Sequence, residues 1–493
     1  MTELLFDNLW LDRCCGVRRV LGTPQKELAP VLQAEAPWET QLHAHHALFY
    51  DTEEHRFKLW YRASAGLGTA MRGDNKASEP TSDPHRNFLC YAESANGVQW
   101  TRPALGLFEL QGRRENNILR EIGEGDSVFW NVIKDPNDPD PSRRYKALGF
   151  DWAATSDLAG CPPGTRGVCV AYSSDGLHWP KGPRLVMSTH DITDADCLLP
   201  QREPTTGRWV AFLRPRTHPK RRFIGYAESR DFDHRTYPRM LLTPDAHDDE
   251  WSEFYGLTAA VVGKWRVGVL WVFHNNPECS PMTTELVYSR DGLHYRRALP
   301  GAQFLPLGPE GTFDSRMVLP VALLAHGNEF LLYYTGCNHE HGADRGQPMP
   351  PGRVAPGEER RSALGLAHLR GMNFCGLRTD HDGMVETKWL CNYGECGIRA
   401  FATADADGWL RAEILDQYGG VIPGWDRDAC RADIGADGRV RLCWGRQELI
   451  GRYGQTSAAG GNIGHVVKVR FYLHRATLFG FQVGDEDGAP PAG

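Results

Sequence analysis

The sequence predicts an all-β fold, a five-bladed β-propeller followed by a small β-sandwich domain. Three observations predict it. A short turn motif recurs along the chain, an ordered series of β-rich runs precedes each copy, and almost no amphipathic helical pattern competes with these runs. We divide the chain into a propeller at 1–370, a β-sandwich at 371–487 and a disordered tail at 488–493.

The turn motif combines a small residue, an Asp or Asn, and a Gly or aromatic residue. Its copies lie roughly 55 to 80 residues apart, a spacing that propeller blades fit best among repeat proteins. They are SANGVQW at Ser94, SSDGLHW at Ser173, SRDFDHR at Ser229, SRDGLHY at Ser289 and a degenerate HLRGMNF at His368. Because Gly accepts positive φ and Asp caps tight turns, each copy predicts the hairpin between the third and fourth strands of a blade.

The β-rich runs before each copy predict the other strands. Second strands are predicted to begin at Arg56, Arg144, Arg208, Trp265 and Glu329, and first strands at His43, Asp126, Asp194, Glu253 and Phe313. Five ordered sets indicate five blades. Two alternatives stay open: a large β-sandwich or barrel whose Asp-Gly turns are alike by chance, and a six-bladed propeller that takes a blade from the N-terminal or C-terminal part.

Beyond residue 371 short β-rich runs continue without the turn motif, and Gly, Asp and Pro separate them. This pattern predicts the β-sandwich. Its apolar runs are typical of core strands, so we expect it to pack on the propeller. A carbohydrate-binding module is the alternative.

The composition excludes several classes of function. The chain has 493 residues, a formal net charge of −7 and no concentrated basic patch, so we expect no nucleic-acid partner. No apolar stretch is long enough for a signal peptide or a membrane span, which predicts a cytoplasmic protein with no membrane partner. The 13 Cys include no CxxC pair, and no phosphate-binding Gly loop follows a strand, so we predict no zinc and no cofactor. A structural cation in the channel and the oligomeric state stay open.

Acidic residues open most of the predicted first strands, which line the central channel of a propeller. The catalytic candidates are Asp126, Asp196, Glu253 and Asp314, with Asp194 beside Asp196, whereas blade 1 carries His43, His45 and His46. Carboxyl groups crowded at one mouth of the channel raise one another's pKa, and a carboxyl group with a raised pKa can serve as a general acid at neutral pH. The alternative is that these acids cap loops or pair with arginines.

Residues where the second strands end are predicted to rim the same mouth, where two long loops also emerge. Side chains of Arg, His, Asn and Trp suit the binding of sugar hydroxyls and ring faces. The predicted substrate-binding residues are Arg62, Asp151, Trp152, Asp194, Arg214, His274, Asn275, Glu310 and His339.

Three stretches resemble the five-bladed glycoside hydrolases of families 32 and 43 and their relatives. They are DSVFWNVIKDPNDPDPSRRYKALGF, FLPLGPEGTFDSRMV and the SxDGxHW turns. The resemblance implies a glycosidase that cleaves an oligosaccharide with acids at the starts of inner strands. It implies Glu253 as general acid, Asp126 as base or nucleophile and Asp196 as an orienting residue, with Asp314, Asp194 and Glu310 as second choices.

The departures from these families limit what the resemblance implies. The WMNDPNG motif of family 32 is absent, Glu253 lies in SEFYG rather than in a Glu-Cys motif, and the Arg-Asp-Pro motif is missing. Specificity for fructosyl substrates is therefore not implied.

Three other functions remain alternatives. A glycoside phosphorylase would bind inorganic phosphate through Arg and His side chains such as Arg62, Arg214, Arg216, His274 and His339. A non-catalytic propeller would only bind carbohydrate. A sialidase is disfavoured, because its SxDxGxxW turn is one residue longer, its propeller has six blades, and its arginine triad and tyrosine nucleophile find no counterpart in the sequence.

Overall fold

The structure is a computed structural model that describes residues 1–65, 86–122, 130–188, 198–217, 221–342, 353–354, 357–391, 396–435, 438–445, 449–450 and 466–484, without the side chains at 46, 65, 216, 217, 396, 449 and 450. In these ranges the chain forms β-strands, one short 3-10 turn at Pro141–Arg143 and no α-helix. The predicted all-β class is therefore confirmed.

Five antiparallel groups of strands follow one another in the described residues between 25 and 370. Group 1 contains Gln41–Asp51, Arg56–Ala65, Arg86–Ser94 and Ile118–Ile122. Group 2 contains Asn131–Lys134, Tyr145–Trp152, Arg166–Ser173 and Arg184–Ser188, with Thr155–Ser156 at its edge. Group 3 contains Leu199–Arg202, Trp209–Leu213, Ile224–Ser229 and Arg239–Leu242, with a small hairpin of Arg216–Thr217 and Arg221–Arg222.

Groups 4 and 5 are hydrogen-bonded into one sheet through a single parallel pair, Met282 beside Met317. Group 4 contains Ser252–Val262, Trp265–His274, Met282–Ser289 and Arg296–Arg297. Group 5 contains Met317–His326, Glu329–Cys337, Ser362–Arg370 and Gln25–Lys26. Within each group, strands that are consecutive in the sequence are neighbours in the sheet, as predicted. The exception is the fourth strand of group 5, which comes from the N-terminal part of the chain.

Apolar side chains pack between successive groups. One buried cluster joins groups 1 and 2, another groups 2 and 3, a third groups 3 and 4, and a fourth groups 4 and 5. A fifth cluster joins group 5 back to group 1, with Leu331 and Leu366 beside Leu42 and Phe57. Each group is thus covered on both faces, which explains why Trp209–Leu213 is buried at every position and its sequence is continuously apolar instead of alternating.

The predicted turn motif does join third and fourth strands in groups 1 to 4. In group 2, Ser173 Oγ accepts the Gly176 N–H at 2.9 Å, and Asp175 Oδ1 accepts the N–H groups of Leu177 and His178 at 2.9 and 2.8 Å. The Gly stands at positive φ, as the motif predicts. In group 3 Phe232 occupies that position with a φ of 72°, and its ring packs 5.3 Å from the Trp209 ring.

The degenerate fifth copy of the motif does not lead to a fourth strand. After Ser362–Arg370 the chain leaves group 5, and the N-terminal strand Gln25–Lys26 pairs with Ser362–Arg370 instead. Val31 continues this pairing by donating its N–H to Leu364 O at 2.8 Å. The N-terminal part therefore completes the fifth group and does not add a sixth.

A second compact unit comprises Met1–Gln25, Ala325–Phe330 and the chain from His368 onward. Its strands are Thr2–Leu4, Leu11–Cys15, Arg18–Leu21, Cys375–Thr387, Leu390–Cys391, Cys396–Leu415, Cys430–Ile434, Arg439–Trp444, Leu449–Ile450 and Val466–Val483. The long strand Val466–Val483 pairs antiparallel with both Cys375–Thr387 and Cys396–Leu415. A buried cluster that includes Phe471 and Trp444 forms its core.

The first 25 residues belong to this second unit, whereas the sequence assigned them to 1–370. Thr2–Leu4 pairs with Val466–Val483, and Leu11–Cys15 pairs with Cys375–Thr387. Short strands carry no local signal for their partner sheet, which is why the sequence misplaced them. The predicted tail at 488–493 lies outside the described residues, and the β-sandwich stays a prediction.

Two further findings concern the described ranges as a whole. The eleven cysteines whose side chains are described form no disulfide bonds. No helix in these ranges has both the length and the apolar composition that crossing a membrane requires.

Candidate functional site

Side chains of four strand groups converge at the end of the sheets where first strands begin and second strands end. We call them the Glu253 cluster, and its members are Glu253, Tyr255 and Asn275 of group 4, Arg214 and Arg222 of group 3, and His341 of group 5, with His45 of group 1 and Trp271 of group 4 at its border. Glu253, Arg214, Arg222, Asn275 and His341 come from strand ends or from the loops that adjoin them.

Glu253 is completely buried and both of its carboxylate oxygens are occupied. Arg222 Nη1 donates to Oε2 at 2.6 Å, and Asn275 Nδ2 donates to Oε1 at 3.0 Å. The Asn275 backbone N–H donates to Trp251 O at 2.9 Å, which fixes the amide in place. Because Arg222 is also buried, the pair is shielded from water.

Tyr255 lies at the centre of the cluster. The Arg214 guanidinium lies 4.1 Å from the centre of its ring, and the ring of Trp271 stacks parallel to it at 6.4 Å. Its hydroxyl is 3.0 Å from Nε2 of His341. Gly256 permits this packing, since a Cβ there would lie 2.8 Å from the Trp271 ring.

The cluster continues into group 1 through His45, whose ring lies 6.0 Å from that of Trp271. His43 is two residues earlier on the same strand, and a bulge follows Ala44. Directly opposite His43 on the second strand is Arg62. His43, Arg62 and His339 form what we call the basic cluster.

Arg62 bonds an amide where a carboxylate would be expected. Its Nε and Nη2 donate to Asn87 Oδ1 at 3.1 and 2.8 Å, and Ser64 Oγ donates to the same oxygen at 2.8 Å. Within the described part of the chain, no carboxylate lies within ion-pair distance of Arg62. Burial lowers the pKa of Arg62 to about 10, and no acidic group offsets this effect.

Both histidines of the basic cluster are buried and uncharged at neutral pH. Burial, followed by the neighbouring charges of Arg62 and His339, holds the pKa of His43 well below its ordinary value. Burial, followed by Arg360, lowers the pKa of His339 to about 4. The Nδ1 atoms of His43 and His339 have no hydrogen-bond partner in the described ranges.

Of the predicted catalytic residues, Glu253 is in the cluster and Asp314 is not in contact with it. Asp314 is buried, but Lys26 Nζ donates to its Oδ2 at 2.6 Å and the Tyr334 hydroxyl donates to the same oxygen at 3.0 Å. Lys26 belongs to the fourth strand of group 5 and Tyr334 to the second. The carboxylate of Asp314 is therefore held by strands of its own group. Asp126, Asp194 and Asp196 lie outside the described residues, as do the side chains of His46 and Arg216.

The eight predicted binding residues that the structure describes fall into three sets: members of the two clusters, residues in local pairs and residues at the surface. Arg214 and Asn275 belong to the Glu253 cluster, and Arg62 and His339 to the basic cluster. Two are held in local pairs: Asp151 accepts from Arg120 Nη2 at 2.9 Å and Trp130 Nε1 at 3.0 Å, and His274 Nε2 is 2.8 Å from Thr283 Oγ1. Two lie at the surface: Trp152, which is half-exposed, and Glu310, which pairs with Arg316 at 2.9 Å.

Sequence reasoning missed Tyr255, Arg222, His341 and Asn87. Tyr255 could have been found from its place two residues after Glu253 in a predicted first strand, but the bulge between Phe254 and Gly256 could not. Arg222 and His341 lie in loops between second and third strands, and nothing in their local sequence shows which strand end they approach. Asn87 lies just before the β-rich run FLCYAE, and the residue opposite it on the neighbouring strand depends on the register.

Metal binding has no support from the described residues, since no three His, Cys, Asp or Glu side chains among them are arranged to hold an ion.

Comparison with known proteins gives matches in structure only. No known protein family and no curated protein matches the sequence. A structure described as a glycoside hydrolase is 15% identical, with a TM-score of 0.44, and covers 71% of this chain and 92% of its own. A family 32 β-fructofuranosidase of Bombyx mori is 11% identical, with a TM-score of 0.42, and covers 92% of this chain and 93% of its own. A thermostable family 43 glycoside hydrolase is 13% identical, with a TM-score of 0.39, and covers 68% of this chain and 92% of its own.

Proposed function

We propose that the five strand groups are the blades of a five-bladed β-propeller, that the second unit is a β-sandwich, and that the chain is a glycoside hydrolase acting on an oligosaccharide at the Glu253 cluster. The closed succession of apolar clusters supports the blade count, because each group packs on the group before it and on the group after it. The observation that carries the function is the convergence of a carboxylate, two arginines, a tyrosine and a histidine from three groups at one end of the strands.

The chemistry of glycoside cleavage needs two carboxyl groups with different tasks. One gives its proton to the glycosidic oxygen as the bond from that oxygen to C1 breaks. The other is charged and attacks C1, stabilises its positive charge, or activates the water whose oxygen bonds to C1. Both oxygens of Glu253 already accept hydrogen bonds, one from Arg222 and one from Asn275, so Glu253 suits the charged task.

This assignment revises the sequence-based role of Glu253 as general acid. The proton donor then comes from the other acids, and Asp126, Asp194 and Asp196 are the candidates because they precede the first strands of groups 2 and 3. The Tyr255 hydroxyl and the arginine N–H groups suit hydrogen bonds to sugar hydroxyls.

The test compares Glu253→Gln with Glu228→Gln on a panel of aryl glycosides and oligosaccharides. Glu228 is the matched control, because it too bonds an arginine, Arg208, and a tyrosine hydroxyl, at 2.9 Å from Tyr226, but lies at the opposite end of the strands. We expect Glu253→Gln to lower kcat at least about a hundredfold and Glu228→Gln to leave it unchanged. Equal kcat in both variants, with far-ultraviolet circular dichroism showing both folded, contradicts the assignment.

A second candidate function is carbohydrate binding without catalysis. The observation that favours it is that both described catalytic candidates are buried and neutralised, Glu253 by Arg222 and Asp314 by Lys26. Binding of an oligosaccharide by calorimetry, with no cleavage product over a long incubation, is the result that supports this candidate over hydrolysis.

A further inference from the structure

We propose that the basic cluster, Arg62 with His43 and His339, is a binding subsite for a negatively charged oxygen group. The inference rests on the proposed function, since it names the charge of a molecule that meets the Glu253 cluster. The charged group belongs either to an acidic sugar substrate or to inorganic phosphate.

The first argument is the partner of Arg62. Three arginines of the same unit with buried side chains bond carboxylates: Arg222 bonds Glu253 at 2.6 Å, Arg266 bonds Glu203 at 2.9 Å and Arg297 bonds Asp248 at 2.7 Å. Arg62 instead donates two of its hydrogen bonds to the neutral oxygen of Asn87. A shielded guanidinium without a counter-charge is costly, and an anionic ligand removes that cost.

The second argument is the hydrogen bonding of the histidines. Ser362 Oγ accepts the Leu42 N–H at 3.2 Å, so its own hydrogen is available for Nε2 of His43, 3.3 Å away. This places the imidazole proton of His43 on Nδ1, which is buried and bonds to no described group. The Nδ1 of His339 is also buried and bonds to no described group. A buried polar atom without a protein partner is open to a hydrogen bond from a ligand or from a water molecule.

The third argument is position. His45, two residues after His43 on the same strand, has its ring 6.0 Å from that of Trp271, which stacks on Tyr255 at the centre of the Glu253 cluster. An oxyanion bound there lies beside a sugar in the proposed active site. Where the anion is inorganic phosphate, its oxygen takes the place of the oxygen of water in bonding to C1. The glycosidic C1–O bond breaks, the leaving oxygen takes a proton from the acid, and the product is a sugar 1-phosphate.

The decisive variant is Asn87→Asp, which keeps the size of the side chain and puts a carboxylate against Arg62. Its matched control is Asn96→Asp, which makes the same change of charge at the turn of group 1, where the other copies carry Asp175, Asp231 and Asp291. The probes are inorganic phosphate, glucuronate and glucose, titrated into the full chain by calorimetry at pH 7 and constant ionic strength. We expect phosphate or glucuronate to bind more tightly than glucose, Asn87→Asp to weaken that binding at least about tenfold, and Asn96→Asp to change it less than about twofold.

The outcomes show whether the anion is inorganic phosphate or part of an acidic sugar. Tighter binding of phosphate, with release of a sugar 1-phosphate, identifies phosphate as the acceptor, whereas tighter binding of glucuronate identifies an acidic sugar. If Asn87→Asp fails to fold, Arg62→Gln makes the same test by removing the cation. Absence of binding by either anion, or equal weakening by Asn87→Asp and Asn96→Asp, overturns the subsite.

The subsite and the proposed function can also fail separately. Oxyanion binding that depends on Asn87 and Arg62, in a protein that cleaves no glycoside, upholds the subsite and rejects the hydrolase. Cleavage of neutral glycosides by a protein that binds neither anion rejects the subsite and leaves the hydrolase standing.

Discussion

The two ends of the strand groups differ in how far their residues repeat from group to group. At the end where third strands finish, a Ser and an Asp or Asn recur in groups 1 to 4 and accept nearby backbone N–H groups. At the end where first strands begin, equivalent positions differ from group to group. Group 4 places Glu253 there with its arginine, and group 1 places His43 and Arg62 without an acid.

This difference separates residues that specify the fold from residues that suit a ligand. A local turn that satisfies its own polar groups works in any blade, so the same residues can recur. Charged and polar side chains gathered from several groups have no such local reason to be there, and their cost in desolvation points to a function. Substitutions at the two ends should therefore differ in how much they change the free energy of unfolding and in whether they affect ligand binding.

The largest effect is expected for Arg222→Met. The variant leaves Glu253 charged and buried without its cation, so the free energy of unfolding in urea should fall by about 3–5 kcal/mol. Arg62→Met removes a cation that bonds no carboxylate and should cost less than about 2 kcal/mol. The double variant Arg222→Met/Glu253→Gln should regain part of the loss. Equal losses for Arg222→Met and Arg62→Met would show that the two arginines play the same structural part.

The next effect concerns pH and the basic cluster. The pKa of His339 is lowered from 6.5 to about 4 in the folded protein, because burial and Arg360 disfavour its charged form. Its contribution to stability is therefore complete above pH 6.5 and is lost as the pH falls towards 4, because the unfolded chain binds the proton first. Linkage gives about 3 kcal/mol for this residue, and His43, whose pKa is also lowered, adds to it.

Urea unfolding at several pH values between 7 and 4.5 measures this dependence. His339→Gln should flatten the slope in this range, whereas His247→Gln, at an exposed position beside Asp245, should leave it as it is. If the free energy of unfolding depends on pH equally steeply in both variants, His339 does not titrate in this way.

A smaller effect is expected at the turn end for Ser289→Ala. Ser289 is buried, and its Oγ accepts the Gly292 N–H at 3.0 Å. The variant leaves this buried N–H without a partner, so the free energy of unfolding should fall by about 1–2 kcal/mol. Ser94→Ala and Ser173→Ala should cost about as much, since their Oγ atoms accept the N–H groups of Gly97 and Gly176 in the same way. Unequal costs across the copies would break the view that the turns are interchangeable.

The sequence predicted what depends on neighbours in the chain. The turns, the third strands that precede them and most second strands follow from local apolar runs and from the Asp-Gly pairs. The fourth strand of group 5 could not be predicted, because Gln25–Lys26 is two residues long and its partner strand, Ser362–Arg370, is far away in the sequence.

The site was predictable only in part for the same reason. The positions of Glu253, Arg214 and Arg62 follow from strand starts and strand ends. The partners that decide what they do are distant: Arg222 reaches Glu253 from a hairpin in group 3, and Lys26 reaches Asp314 from the N-terminal strand. An acid at a strand start can be read from the sequence, but the charge beside it cannot.

The smallest effect is expected for Asn96→Asp, which makes the turn of group 1 like the other three. Asn96 Oδ1 already accepts the N–H groups of Val98 and Gln99 at 3.0 and 2.8 Å, and an aspartate oxygen can do the same. In the other turns the Asp also pairs with a histidine, for example Asp175 with His178 at 2.7 Å, but group 1 has Gln99 at that position. The change should therefore alter the free energy of unfolding by less than about 0.5 kcal/mol.

Asn96→Asp combined with Gln99→His should restore the missing pair and stabilise the protein by a few tenths of a kcal/mol, an effect that high salt should remove. A loss above about 1 kcal/mol in the single variant would show that the turn of group 1 has a requirement of its own, and that the repeated end of the strands is less uniform than its hydrogen bonds indicate.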